Sequence, residues 1–117
     1  MKKKYKTGTK YEYKAKKELE KEGYLVIRSA GSHSPFDLIA LGALEVIFIQ
    51  IKKCKILKEA EKAIKNFKKK MKKLDKLYDI EKAVDKDINF SIWIWVERKG
   101  WIKYKYLEEK YYEEPDY

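Results

Sequence analysis

Asp37, Gln50 and Lys52 are the residues of this sequence whose types and spacing could do chemistry. Asp37 stands near the head of the apolar run FDLIAL, and Gln50 and Lys52 interrupt the far end of the next run, LEVIFIQIKK. Successive side chains of a strand alternate between faces, so Val46, Phe48, Gln50 and Lys52 share one face and Ile47, Ile49 and Ile51 the other. If the two runs pair as a tight hairpin through Gly42, Asp37 returns to the sheet end that carries Gln50 and Lys52. A carboxylate and an amide oxygen are hard donors suited to Mg²⁺, and a lysine beside them can position or activate a water. Glu12 can reach the same place: it lies three residues before Ala15, on the inward stripe of a helix that also carries Leu19. Two acids, an amide and a lysine at one sheet end are the equipment of a metal-dependent phosphodiesterase.

The elements that must position these residues can be read along the chain. KYEYKAKKELEKEG, 10–23, holds good helix formers between a candidate cap at Thr9 and a stop at Gly23. YLVIRS (24–29), FDLIAL (36–41) and LEVIFIQIKK (44–53) are short, β-branched apolar runs and predict strands. From Leu57 to about Tyr78, Ala60, Ala63, Ile64, Phe67, Met71 and Leu74 recur at helical spacing beneath a field of lysines, which predicts one long amphipathic helix. NFSIWIWVE (89–97) and WIKYKYLE (101–108) predict two strands around the turn Arg98-Lys99-Gly100. Trp93 and Trp95 alternate with Ile92, Ile94 and Val96, so both faces of the first of these are apolar. With Trp101 they read as core, or one face as a dimer surface. Residues 1–7 form a basic arm and 109–117 an acidic, aromatic, loosely held tail. The order α-β-β-β-α-β-β is that of an α/β domain, a mixed sheet flanked by helices.

At 117 residues the chain makes one domain, 1–117, with one core. Its 29 Lys and Arg against 19 Asp and Glu give a net charge of +10, and 41% of its residues are charged. An acidic polymer is the natural partner for such a surface, and nucleic acid heads the candidates. No apolar run approaches the ~20 residues of a membrane span, and Met1 leads into lysines rather than an apolar signal core. The expectation is a soluble, cytoplasmic protein. The single cysteine, Cys54, excludes an internal disulfide and a cysteine-built zinc site, and reads as inert packing. A composition rich in Lys, Glu, Ile and Tyr resembles that of thermophile proteins.

Asp37 followed by a strand with Gln50-x-Lys52, and preceded by Glu12 on a helix and by Arg28-Ser29-Ala30-Gly31-Ser32 after a strand, resembles the PD-(D/E)xK nuclease superfamily. Over residues 8–53 the order is similar to that of the archaeal Holliday-junction resolvases: a helical glutamate, a strand ending in Arg, a Ser/Gly-rich loop, an aspartate, then an acid-x-Lys strand. The resemblance implies a restriction-endonuclease-like fold and a homodimer on four-way or other branched DNA. It also implies paired nicks that depend on Mg²⁺, with Mn²⁺ an alternative ion. It places Glu12, Asp37, Gln50 and Lys52 in the catalytic centre. Asp37, Gln50 and the backbone carbonyl of Ile51 are the implied metal ligands, with Glu12 holding a metal or its water and Lys52 orienting the attacking water. Arg28 is the implied phosphate clamp, and Ser32, His33, Ser34 and Lys53 the further DNA contacts. One position departs from the pattern: Gln50 stands where most resolvases carry Glu, although nucleases of the virus-type replication-repair class have Gln-x-Lys there.

The same residues have quieter readings. Glu12 can pair with Lys16 one turn on, and Asp37 follows Pro35, where aspartate is a common turn residue. His33 is one neutral imidazole in a polar loop and suits a phosphate contact better than a general base. Ser29, Ser32 and Ser34 lack a sequence partner that would make a nucleophile. The lysines of the long helix form a solvated face or touch a nucleic-acid backbone. Three alternatives stand beside a resolvase: a non-catalytic DNA-binding module that lost metal affinity when the acid became Gln50, a structure-specific nuclease of the virus-type class, and an RNA-directed domain of the same fold.

Overall fold

In the computed structural model, which describes residues 7–29 and 34–115, the chain runs α1 (Thr7–Lys21), β1 (Leu25–Arg28), β2 (Leu38–Leu41), β3 (Val46–Cys54), α2 (Leu57–Tyr78), α3 (Ile80–Asp85), β4 (Ile88–Val96), β5 (Gly100–Lys105) and β6 (Tyr112–Pro115). These six strands form one sheet in chain order. Neighbours are antiparallel except the central pair β3–β4, which is parallel. Parallel neighbours need a crossover, and α2 with α3 supplies it. The expected α/β architecture, a mixed sheet flanked by helices, is therefore present, with α3 and β6 added to the expected order.

α1 starts at Thr7, so Thr9 lies inside the helix rather than capping it. Its end follows the sequence closely: Gly23 takes φ 97, and the N–H groups of Gly23 and Tyr24 donate to the carbonyls of Glu20 and Leu19 at 3.1 Å each. That closing pair needs a left-handed residue, which glycine adopts without a Cβ clash. The β2–β3 hairpin turns through Gly42 to Glu45, closed by Gly42 N donating to Glu45 O at 2.8 Å. Leu44 and Glu45 thus belong to the turn, and β3 begins at Val46.

Two apolar layers sandwich the sheet. On one face α1 lays Ala15 and Leu19 against Val26, Leu38, Ala40, Ile49, Trp93 and Trp101. On the other, α2 lays Ala60, Ile64, Phe67 and Met71 against Phe90, Ile92, Ile94, Val96, Ile102 and Tyr104. Both faces of β4 are therefore inside the subunit: of the two readings of the tryptophans the core one holds, and the alternative of a dimer surface on this strand does not.

The tail is not loose. Residues 112–115 pair with β5, and Glu114 reaches the buried Lys103, with Nζ to Oε1 at 2.6 Å. Lys103 also lies 3.9 Å from the centre of the Trp93 ring and 3.4 Å from Glu18. A buried ammonium is costly without a carboxylate, and the tail strand brings one. Desolvation raises the Glu18 pKa, while Lys103 acts to lower it. Residues 1–6 of the basic arm and 116–117 of the tail lie outside the described residues.

Candidate active site

The site lies where the β2–β3 ladder ends. Asp37, one residue before β2, is fixed by three hydrogen bonds of 2.8 Å each: its N donates to Ile49 O, its carbonyl accepts from Ser29 N, and its Oδ2 accepts from Ile51 N. The two bonds to β3 bracket Gln50. The side chain thus takes an N–H of β3 that a strand carbonyl would otherwise use, which is why β2 starts at Leu38 and not at Phe36. Burial pushes the Asp37 carboxyl above the ordinary aspartate range. The Ile51 N–H opposes this, and so do the charges of Lys52, Arg28 and Lys70.

Gln50 and Lys52 lie on the α2 side of β3, as alternation requires. They border a cleft of about 610 Å³ whose other wall is α2, with Lys62, Asn66, Lys69 and Lys70 along it. Lys52 is exposed and Gln50 half-buried.

Glu12 and Arg28 approach from the opposite side. Arg28 is paired in register with Leu38, a residue buried against α1, and its Nε donates to Glu12 Oε1 at 2.8 Å. The Glu12 side chain is only 15% exposed. The guanidinium also lies 5.0 Å from the Tyr13 ring centre. Glu12 is therefore not held by Lys16, whose own partner is Glu20 at 2.9 Å. Arg28 connects the two sides, bonded to Glu12 while its charge is felt at Asp37.

The other anticipated residues are placed less centrally. Ser34 Oγ accepts from Phe36 N at 3.1 Å and so shapes the approach to Asp37. Lys53 pairs with Glu97 at 3.2 Å. Ser32 and His33 lie outside the described residues. Cys54 is free and packs beside the α2 core, its thiol pKa pushed up chiefly by burial. Among the described residues no three His, Cys, Asp or Glu side chains gather as a metal-holding group, and position 50 supplies an amide. The sequence reading missed Lys62, Asn66, Lys69 and Lys70 as neighbours of Gln50. Their spacing along one stripe of α2 is the signal that marks them.

Residues 3–78 match the family model of the archaeal Holliday junction resolvase, Hjc. The chain belongs to the archaeal Holliday junction resolvase family. That family is part of the PD-(D/E)xK nuclease superfamily, and the matched stretch carries Glu12, Arg28, Asp37, Gln50 and Lys52. Among solved structures, the Holliday junction resolvase Hjc of the archaeal hyperthermophile Archaeoglobus fulgidus is similar at 20% identity and a TM-score of 0.56. The alignment covers 95% of this chain and 85% of that one, so α3 to β6, beyond the family match, also share its fold. No curated protein matches the sequence. No helix among the described residues is long and apolar enough to cross a membrane.

Proposed function

We propose that the protein is a homodimeric endonuclease that nicks branched DNA, four-way junctions above all, with Mg²⁺ or Mn²⁺ as cofactor. The observation that carries this is Asp37, tied to β3 on both sides of Gln50, where Gln50 and Lys52 border a lysine-walled cleft, in a chain of the resolvase family. The donors fit a hard divalent ion: Asp37 Oδ1, the Gln50 amide oxygen and the Ile51 carbonyl are all oxygens, the class Mg²⁺ prefers. Burial disfavours the charged form of the Asp37 carboxylate, and a cation beside it would favour that form.

When bound, the ion supplies Lewis-acid polarisation of the phosphate and a water of lowered pKa. Lys52 would hold the attacking water by a hydrogen bond and place its charge against the oxygen charge that grows in the transition state. Arg28 would clamp a non-bridging phosphate oxygen, its Nε kept on Glu12 so that the remaining N–H groups point outward. Glu12 in this reading fixes the clamp and faces the water side of the site.

The proposed dimer uses a surface other than the tryptophan strand. On the α2 side of the β1–β2 hairpin Leu25 is 64%, Ile27 47% and Leu41 36% exposed, an apolar patch of the kind that marks a contact surface. A two-fold pair of subunits would present two sites to the two symmetric strands of a four-way junction.

The test is nicking of end-labelled four-way junction, flap, duplex and single-stranded DNA, with Mg²⁺ and with EDTA, by the wild type and by Lys52→Ala. Metal-dependent nicks on the junction, lost in Lys52→Ala, support the reading. A second reading, a binding module of the same fold, is favoured by the amide at position 50 and the absence of a three-acid group among the described residues. Tight junction binding with no nicks in Mg²⁺ or Mn²⁺ would establish it instead, and competition by RNA would reveal an RNA-directed domain.

A further inference from the structure

α2 carries two lysine flanks that look alike in sequence and differ in what faces them. On one, Lys65 and Lys68 share a cavity of about 520 Å³ with Lys110, Glu61, Glu109 and Glu113. Three cations meet three carboxylates there. Tyr111 Oη donates to Glu61 at 3.4 Å, and Lys68 lies 5.1 Å from the Tyr104 ring centre.

The other flank, Lys62, Asn66, Lys69 and Lys70, faces β3 and has no such balance. Lys52 and Lys53 stand on its far side, and the one carboxylate lining that cleft is Glu59. Glu59 Oε1 already accepts from Lys55 N at 2.9 Å, and Lys53 pairs with Glu97. Among the described residues Lys62, Lys69 and Lys70 make no ion pair. Like charges held in a concave surface repel and raise the local potential, which is favourable only where a polyanion is received. Gln50 and Lys52 line the same cleft.

We propose that the Lys62–Asn66–Lys69–Lys70 stripe is the track for the sugar-phosphate backbone of the DNA strand entering the site. This rests on the function proposed above. Eight residues of helix separate Lys62 from Lys70, a rise of about 12 Å. One strand of a duplex advances ~3.4 Å per nucleotide, so about three phosphates lie alongside. Asn66, between the lysines, can donate from its amide to a phosphate oxygen without adding charge. The charge-balanced flank has no comparable claim on an anion.

The experiment compares two triple variants with equal charge loss, both built from exposed lysines. Lys62→Ala/Lys69→Ala/Lys70→Ala removes the track. Lys58→Ala/Lys65→Ala/Lys72→Ala removes the same charge elsewhere on α2. Junction binding is measured by fluorescence anisotropy across a salt series without divalent metal, after circular dichroism confirms the fold of each. The track variant should flatten the slope of log affinity against log salt by about 2–3, at ~0.9 per phosphate contact, and the control by less than about 1. Single-turnover nicking at sub-saturating protein should fall in the track variant and stay near wild type in the control variant. Equal slope changes in the two triple variants would overturn the track. If the wild type binds but never nicks, the nuclease reading fails while the slope comparison still decides the track. A wild type that binds no junction overturns both.

Discussion

Gln50→Glu keeps the length of the side chain and adds one negative charge at a half-buried point of β3, bracketed by the bond that Asp37 N donates to Ile49 and the bond that Asp37 Oδ2 accepts from Ile51. Side chains on neighbouring strands approach to ~5 Å. At an effective dielectric constant of ~20 two carboxylates that far apart repel by about 3 kcal/mol. Lys52, Arg28 and Lys70 offset part of this, leaving a net cost of ~1–2 kcal/mol. Without metal the variant should melt roughly 5–10 °C below wild type at neutral pH. Burial already holds the Asp37 carboxyl above its ordinary range, and a second carboxylate raises it further. A carboxyl whose folded pKa is raised destabilises the fold above that pKa. The deficit is therefore present at pH 7.5 and shrinks as the pH falls through the raised value toward ~4. Mg²⁺ should close the same gap, because the ion is drawn to two carboxylates instead of one. A cost of ~1–2 kcal/mol recovered by binding corresponds to roughly 5- to 30-fold in affinity. The Mg²⁺ concentration for half-maximal junction nicking should fall by about that factor, while Asp37→Asn abolishes nicking. The assay pairs thermal melts at several pH values, with and without Mg²⁺, with a Mg²⁺ titration of nicking. An unchanged Mg²⁺ requirement, together with a melting deficit that Mg²⁺ leaves untouched, would refute the donor set. If the wild type does not cut and Gln50→Glu does, the amide is what silenced the site.

Ile27→Glu places a charge in the exposed apolar patch of β1 and should convert a particle of twice 14.1 kDa into one of 14.1 kDa in sedimentation equilibrium; an unchanged dimer would place the interface elsewhere. Tyr24 donates to Glu45 Oε2 at 2.7 Å, and this bond, aided by burial, pushes its pKa up to about 12. The bond's stabilisation is therefore fully present below pH ~10 and lost as the pH rises through about 12, and the wild-type minus Tyr24→Phe absorbance titration at 295 nm should have its midpoint near there; a midpoint near 10 contradicts the bond. Phe67→Ala empties a position 1% exposed beneath α2 and should cost ~3–5 kcal/mol in urea unfolding, whereas a loss under ~1 kcal/mol would mean that α2 does not pack there.

What was legible in the sequence depended on how local its cause was. α2 runs over Leu57–Tyr78, the span its apolar spacing marks out, and α1 stops at Gly23 because a left-handed closing residue is a sequence-level signal. The break between α2 and α3 carries no glycine or proline. Asp79 takes φ 56 there, and Ile80, Ala83 and Val84 continue the helical apolar spacing, so nothing local announces α3. β6 is likewise hidden, because its reason is the buried Lys103 of β5, eleven residues from Glu114 in sequence. At the site, strand alternation alone puts Gln50 and Lys52 together. The Glu12–Arg28 pair joins a helix to a strand and has no signature in spacing, and helical spacing offers Lys16 instead. The two flanks of α2 are indistinguishable by residue type. Only the sheet on one side and the carboxylates on the other separate Lys70 from Lys65.

On the proposed function the replacement of an acid by Gln50 shifts the balance of the whole site. Around Asp37 stand Lys52, Arg28 and Lys70, and Glu12 is committed to Arg28. With an acid at position 50 the three cations would face three carboxylates; with the amide they face two, and the cleft gains net positive charge. An approaching phosphodiester is favoured by that change and a divalent cation is disfavoured by it. The two effects meet when substrate binds, because a phosphate oxygen can supply the negative charge that the amide lacks, in the manner of Mg²⁺ sites that rely on substrate phosphates. Metal affinity in this protein should then depend on DNA more steeply than in a relative with the acid, and by reciprocity DNA affinity should depend on metal to the same degree. The lysine track strengthens this coupling. It would bring the phosphates to a site that otherwise offers a cation one half-buried carboxylate and two neutral oxygens.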